Sequence, residues 1–131
     1  MSGVKPVMVT AVALGGALGS VARYLTMVAV GQMFGTGFPF GTLTVNALGG
    51  FAMGVLVELS ALAWSPPPEL RSFLTVGVLG GFTTFSTFSL DVGVLVERGE
   101  MMAAAVYVAL SVVLSVGGLF AGLKVIRMVF A

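Results

Sequence analysis

The chain contains no histidine and no cysteine. That excludes a His/Cys metal centre, a thiol nucleophile, a Ser-His-Asp triad and any disulfide framework. Charge is scarce too. Only 8% of the 131 residues are charged and the net charge is +1, whereas an ordinary soluble domain carries about a quarter charged residues. Such a chain cannot cover a water-facing surface with charge, and it has no basic field to attract nucleic acid. The remainder is apolar: 58% of the residues are hydrophobic. The composition is that of an integral membrane protein.

Four apolar runs are long enough to cross a hydrocarbon core of roughly 30 Å, which takes about 20 helical residues. They cover about residues 7–30, 41–63, 70–96 and 101–129 of a single all-α membrane domain. The first run follows Lys5 in the manner of a signal peptide. It continues to about Val30, too long for a signal h-region, and so reads as a span. Trp64-Ser-Pro-Pro-Pro-Glu69 is a stiff connection, because proline cannot continue a helix and consecutive prolines favour an extended form. With four spans both termini share one side. That side carries Lys5, Arg71, Lys124 and Arg127; the other carries Arg98, joined by Arg23 if that residue reaches the interface. So small a difference gives a weak orientation signal, compatible with insertion both ways.

The third run holds the departure from helix-forming sequence. Gly80-Gly-Phe-Thr-Thr-Phe-Ser-Thr-Phe-Ser-Leu-Asp91 places two glycines and several short hydroxyls inside a span. Glycine raises the entropy cost of a helix, and Ser and Thr compete for its backbone hydrogen bonds. Backbone freed from a helix within a membrane must find another partner or line a protected cavity. The stretch therefore predicts a broken third helix and the functional centre. Gly15/Gly19, Gly50/Gly54, Gly77/Gly81 and Gly118/Gly122 give each span a pair spaced for close helix packing, within or between subunits.

Three polar groupings could carry chemistry. Asn46 lies inside the second span, where an amide is costly unless paired. It serves either as glue between helices or as an NH₂ donor facing an anion. Tyr107, Ser111 and Ser115, at i, i+4 and i+8, form a hydroxyl stripe along one face of the fourth helix. The stripe is either interhelical bonding or a ladder of donors along a pore wall. Phe85 and Phe88 would ordinarily be packing, but Thr84, Ser86, Thr87 and Ser89 surround them where the helix should fail. A ring offers an anion its positive edge and a cation its negative face, and the sequence leaves that orientation open. Arg23 either snorkels to the interface or concentrates anions at a pore mouth. Asp91 caps or pairs locally. With no carboxylate dyad, an enzyme is a poor reading. The residues alone reach a narrow polar path that favours an anion, lined by neutral donors that can replace a hydration shell at several weak sites.

Gly15-Gly-Ala-Leu-Gly-Ser-Val-Ala-Arg23-Tyr, Gly41-Thr-Leu-Thr-Val-Asn46 and Gly80-Gly-Phe-Thr-Thr-Phe-Ser-Thr-Phe-Ser89 together resemble the Fluc/CrcB family of fluoride channels. The resemblance covers nearly the whole chain. It implies an antiparallel, dual-topology homodimer with two fluoride pores, in a bacterial plasma membrane. It implies that Phe85, Phe88 and Asn46 line the ion path, with the polar track Tyr107, Ser111 and Ser115 and with Ser86 and Thr87 nearby. It also implies a structural sodium ion at the dimer interface, held by backbone carbonyls of Gly80 and Thr83 from each subunit. Arg23 matches a family arginine on the first helix, a candidate vestibule charge. Phe82 stands where the family commonly has Leu, and Leu90-Asp91 where Ala-Glu is common. The expected function is passive, fluoride-selective export that relieves fluoride toxicity. Two rivals stand beside it. A small proton-coupled multidrug exporter would need a membrane-embedded carboxylate, for which Glu58 is the candidate. A non-transporting accessory subunit would use only its glycine faces.

Overall fold

A computed structural model describes residues 3–131. Every regular element among them is helical. Helix α1 (Pro6–Phe34) starts on a proline, whose missing N–H costs nothing in the first turn. It stops at Gly35, where φ is +79°, a left-handed backbone that glycine adopts without strain. Helix α2 (Phe40–Leu62) runs into the Pro66–Pro68 connection. The third long element is composite. Helix α3 (Pro68–Ser72) passes into a π-helical segment, Phe73–Leu79, then into one turn, α4 (Gly80–Phe82). Thr83 and Thr84 are extended, with φ/ψ of −91°/158° and −153°/117°. Helix α5 (Phe85–Glu97) follows, and Gly99, at φ +76°, turns the chain into α6 (Met101–Phe130).

Four stretches are long and apolar enough to cross a membrane: Pro6–Phe34, Phe40–Leu62, Pro68–Glu97 and Met101–Phe130. Their outer faces carry bare apolar side chains. Leu14, Leu18, Val21 and Leu25 on α1 are each more than half exposed. Water would oppose such a surface and lipid would not. The protein is a multi-pass membrane protein.

The glycine pairs meet in two interfaces, both within one chain. Gly15 and Gly19 of α1 face the π-helical segment and α4. The Gly77 Cα lies 2.9 Å from where a Gly15 methyl would sit, and a methyl at Gly19 would overlap the Val78 carbonyl. Gly50 and Gly54 of α2 face α6 in the same way: a methyl at either would overlap the carbonyl oxygen of Ser115 or Leu119. Backbone-to-backbone contact of this kind is what small-residue spacing permits. Beyond the glycines, α2 and α6 are joined near their C-termini by an ion pair, Arg127 Nε to Glu58 Oε2.

Candidate functional site

The polar accounting at Thr83–Thr84 shows how the chain leaves its helix here. Buried backbone groups must be paired. The Thr84 N–H donates to Asn46 Oδ1 at 2.7 Å, and Asn46 Nδ2 donates to the Thr84 carbonyl at 3.0 Å. Reversing the amide would set N–H against N–H, so this bond pair fixes its orientation. The Gly81 carbonyl accepts from Arg23 Nε at 3.0 Å. The Leu79 carbonyl accepts from both the N–H and the hydroxyl of Thr83, at 3.1 and 2.9 Å. Helix α5 then restarts on a capped end, with Thr84 Oγ1 accepting the Thr87 N–H at 3.1 Å. Side chains from α1 and α2 thus supply what the helix would have supplied.

Beside this point lies a groove of about 480 Å³ between α2, the third span and α6. Asn46, Gly80, Thr83, Phe85, Phe88, Ser111 and Ser115 all reach its wall. Phe85 is 78% exposed, so the described residues cover little of that ring. Phe88 packs between Phe85 and Tyr107, with ring centroids 5.4 and 5.3 Å away and tilts of 44° and 42°. Tyr107 is fully buried, and its hydroxyl donates to Asp91 Oδ2 at 2.9 Å.

Ser111 differs from most of the hydroxyls within the helices. Thr10, Thr26, Thr44, Ser60, Thr75, Thr83 and Ser89 each donate to the carbonyl four residues back. That is the ordinary outcome for such residues in a helix. Ser111 is buried and borders the groove, and its Oγ makes no hydrogen bond among the described residues. A buried polar atom left single is costly. Asn46 has a further N–H of its own, since a primary amide carries two.

The structure does not bring every expected residue to this wall. Ser86 and Thr87 gather round the α5 cap, their hydroxyls 3.3 and 3.1 Å from Thr84 Oγ1. Tyr107 stands behind Phe88 and leaves the wall to Ser111 and Ser115. Arg23 lines a different groove, with Tyr24, Gln32 and Thr36, while its Nε holds Gly81. Sequence reasoning missed three partnerships. Asp91 with Tyr107 joins residues 16 apart on successive helices, with no local spacing to reveal it. Phe38 touches Tyr107 from the α1–α2 connection. Glu58 with Arg127 could have been found: each lies one turn from the end of a span, and α2 and α6 run the same way in a four-span chain.

A membrane protein of four apolar helical stretches, with a groove of rings, hydroxyls and one amide beside a two-residue departure from helix, is the class this fold and site define. The chain belongs to the CrcB family: residues 10–123 match the family described as CrcB-like protein, Camphor Resistance (CrcB). It is 67% identical to the fluoride-specific ion channel FluC of Rhodospirillum centenum over 120 residues, 92% of this chain and 95% of that one. The protein of the same name from Nitrobacter winogradskyi is 53% identical over 95% of this chain and 99% of its own length. That from Agrobacterium fabrum is 51% identical over 91% of this chain and 95% of its own.

Proposed function

We propose that the protein is a fluoride channel that lets fluoride leave the cell passively and so relieves its toxicity. The observation that carries the reading is the groove wall, which brings Asn46, Ser111 and Ser115 together with Phe85 and Phe88, the Ser111 Oγ making no hydrogen bond among the described residues. A small anion sheds water only if donors replace it, and it moves on only if each donor holds it weakly. Neutral hydroxyl and amide hydrogens meet both conditions. The names of the relatives supply the identity of the anion. Fluoride enters a cell as neutral HF and ionises there. A negative-inside membrane then drives the anion out through an open path, with no coupling ion.

The interrupted third span is the working element of this reading, and the groove is half of a pore. Phe85 lies bare on it, so a second copy in the opposite orientation would cover the ring and close the wall. That arrangement and the weak charge bias support an antiparallel homodimer with two pores, and the bacterial relatives support a place in the plasma membrane. The site also suits a structural sodium ion on the dimer axis. Gly80 and Thr83 both border the groove, and their carbonyls take no part in the hydrogen bonds around Thr84, which use Leu79, Gly81 and Thr84. Hard cations take oxygen ligands, and two such carbonyls per subunit would hold the ion and pin the copies together.

A proton-coupled exporter needs a free carboxylate in the membrane. Glu58 is tied to Arg127 and Asp91 to the Tyr107 hydroxyl, which speaks for the channel. Purified protein in liposomes loaded with fluoride decides the matter. Rapid efflux without a proton gradient, lost in Phe85→Ile or Phe88→Ile, is the expected result. Efflux no faster than from empty liposomes would overturn the proposal.

A further inference from the structure

We infer that Phe38, in the connection between α1 and α2, is a positioning residue for the conduction path: it holds Tyr107, and through Tyr107 the groove ring of Phe88. The inference rests on the fluoride-channel reading above. Phe88 is backed on its inner side by the Tyr107 ring, which leaves the Phe88 tilt dependent on where Tyr107 lies. Tyr107 is also met by Phe38 in a T-shaped contact, with centroids 5.5 Å apart and planes at 86°. This T-shaped contact is the favoured geometry for two rings, positive edge to negative face. The rings of Phe38, Tyr107, Phe88 and Phe85 thus form an unbroken series from a surface connection to the groove wall.

The connection is built to hold its end of the series still. Pro39 has φ/ψ of −79°/64°, and the Phe40 N–H donates to the Phe38 carbonyl at 2.8 Å. These are the marks of an inverse γ-turn, with its φ fixed by the proline ring. The residue before proline is itself confined to extended backbone. The rings of Phe38 and Phe40 pack 4.9 Å apart across this turn. On the outer side Arg98, just beyond α5, reaches the Gly37 carbonyl at 3.4 Å. A short segment with this many constraints is unusual for a surface connection, which ordinarily is mobile. Its rigidity has an evident use if a ring on it sets the position of Tyr107.

The test uses the full-length protein in liposomes, with 4-fluorophenylalanine at position 88 for ¹⁹F NMR and a fluoride electrode for efflux. Phe38→Leu keeps apolar bulk and removes the ring; Phe38→Tyr keeps the ring. The expected result for Phe38→Leu, which loses the pairs with Tyr107 and Phe40, is a broadened or split Phe88 resonance and efflux reduced severalfold, up to about tenfold. Phe38→Tyr is expected to keep a single resonance and efflux within about twofold of the parent. A merely structural role for Phe38 would lower thermal stability without touching the Phe88 line. The inference is overturned if Phe38→Leu leaves that line unchanged, whatever happens to the rate. Should Phe38→Leu not fold, Pro39→Ala keeps every ring and frees the turn; a sharp, unshifted Phe88 line in that variant overturns the inference equally. Failure of the parent protein to release fluoride would refute the channel reading, and the resonance would still report whether Phe38 holds Phe88.

Discussion

Helices α2 and α6 and the third span are both rich in small residues, and they come out differently. The α2–α6 pair is two continuous helices in backbone contact at Gly50, Gly54 and Gly122, tied at one end by Glu58 and Arg127. The third span opens into a π-helical segment and then leaves the helix at Thr83–Thr84. Glycine alone therefore does not decide the outcome. In α2 and α6 the glycines remove side chains and bring backbones together, while the helical hydrogen bonds persist. In the third span other elements offer competing partners: Asn46 takes Thr84 and Arg23 takes Gly81. A helix is abandoned in an apolar setting only where such partners wait.

Variants can break this contrast. The largest effect is expected from Asn46→Leu, which leaves both the N–H and the carbonyl of Thr84 without their partner. Unsatisfied buried groups cost roughly 1–3 kcal/mol each, so stability should fall by several kcal/mol and fluoride efflux should vanish. Reversible unfolding in detergent and an efflux assay measure the two losses. Next comes Gly54→Ala on the continuous pair. Its methyl would overlap the Leu119 carbonyl, a rigid neighbour, and overpacking costs about 1–3 kcal/mol. Efflux per folded molecule should fall less than in the Asn46 variant, since the groove residues survive.

Ser111→Ala sharpens the contrast from the other direction. It removes a buried hydroxyl that makes no hydrogen bond among the described residues, so stability should be unchanged or rise by up to ~1 kcal/mol. Efflux should nonetheless fall severalfold, because a donor is lost from the wall. Stability and efflux falling together would mean that the hydroxyl is structural. The smallest effect is expected from Glu58→Gln. Gln keeps an acceptor for Arg127, whose side chain is 59% exposed. The Glu58 side chain is only 11% exposed, but Gln keeps the hydrogen bond and the pair lies outside the groove lining, so unfolding should lose about 1 kcal/mol and efflux should stay near the parent's. A drug-efflux activity abolished by this substitution would revive the exporter.

Much of the architecture was legible in the residues. Apolar runs separated by Pro-rich and Gly-rich connections marked the spans, because length and hydropathy are properties of a segment taken alone. The Gly-Gly and Thr-Thr of residues 80–84 marked where helix would fail, again a local property. Asn46 was legible as costly, but its commitment to both backbone groups of Thr84 was not, since 38 residues separate them. The glycine pairs announced close packing without saying against what; Gly15 and Gly19 meet the third span, and Gly50 and Gly54 meet α6. Ser86 and Thr87, expected near the path by resemblance, bond to Thr84 Oγ1 at the α5 cap, a contact the sequence did not announce.

The sequence by itself determined that this chain lives in lipid, crosses it with four apolar stretches and carries its polar groups at a few places. Those features follow from transfer energies and backbone propensities that each residue brings with it. Which polar groups meet was decided only by the tertiary structure. Hydrogen bonds and ring contacts depend on distances between helices, and helix spacing is set by glycines that reveal nothing until a neighbour's backbone lies against them. The same glycines, read in one dimension, announce only room; in three they bring an amide to the extended Thr84 backbone and two serines to one groove.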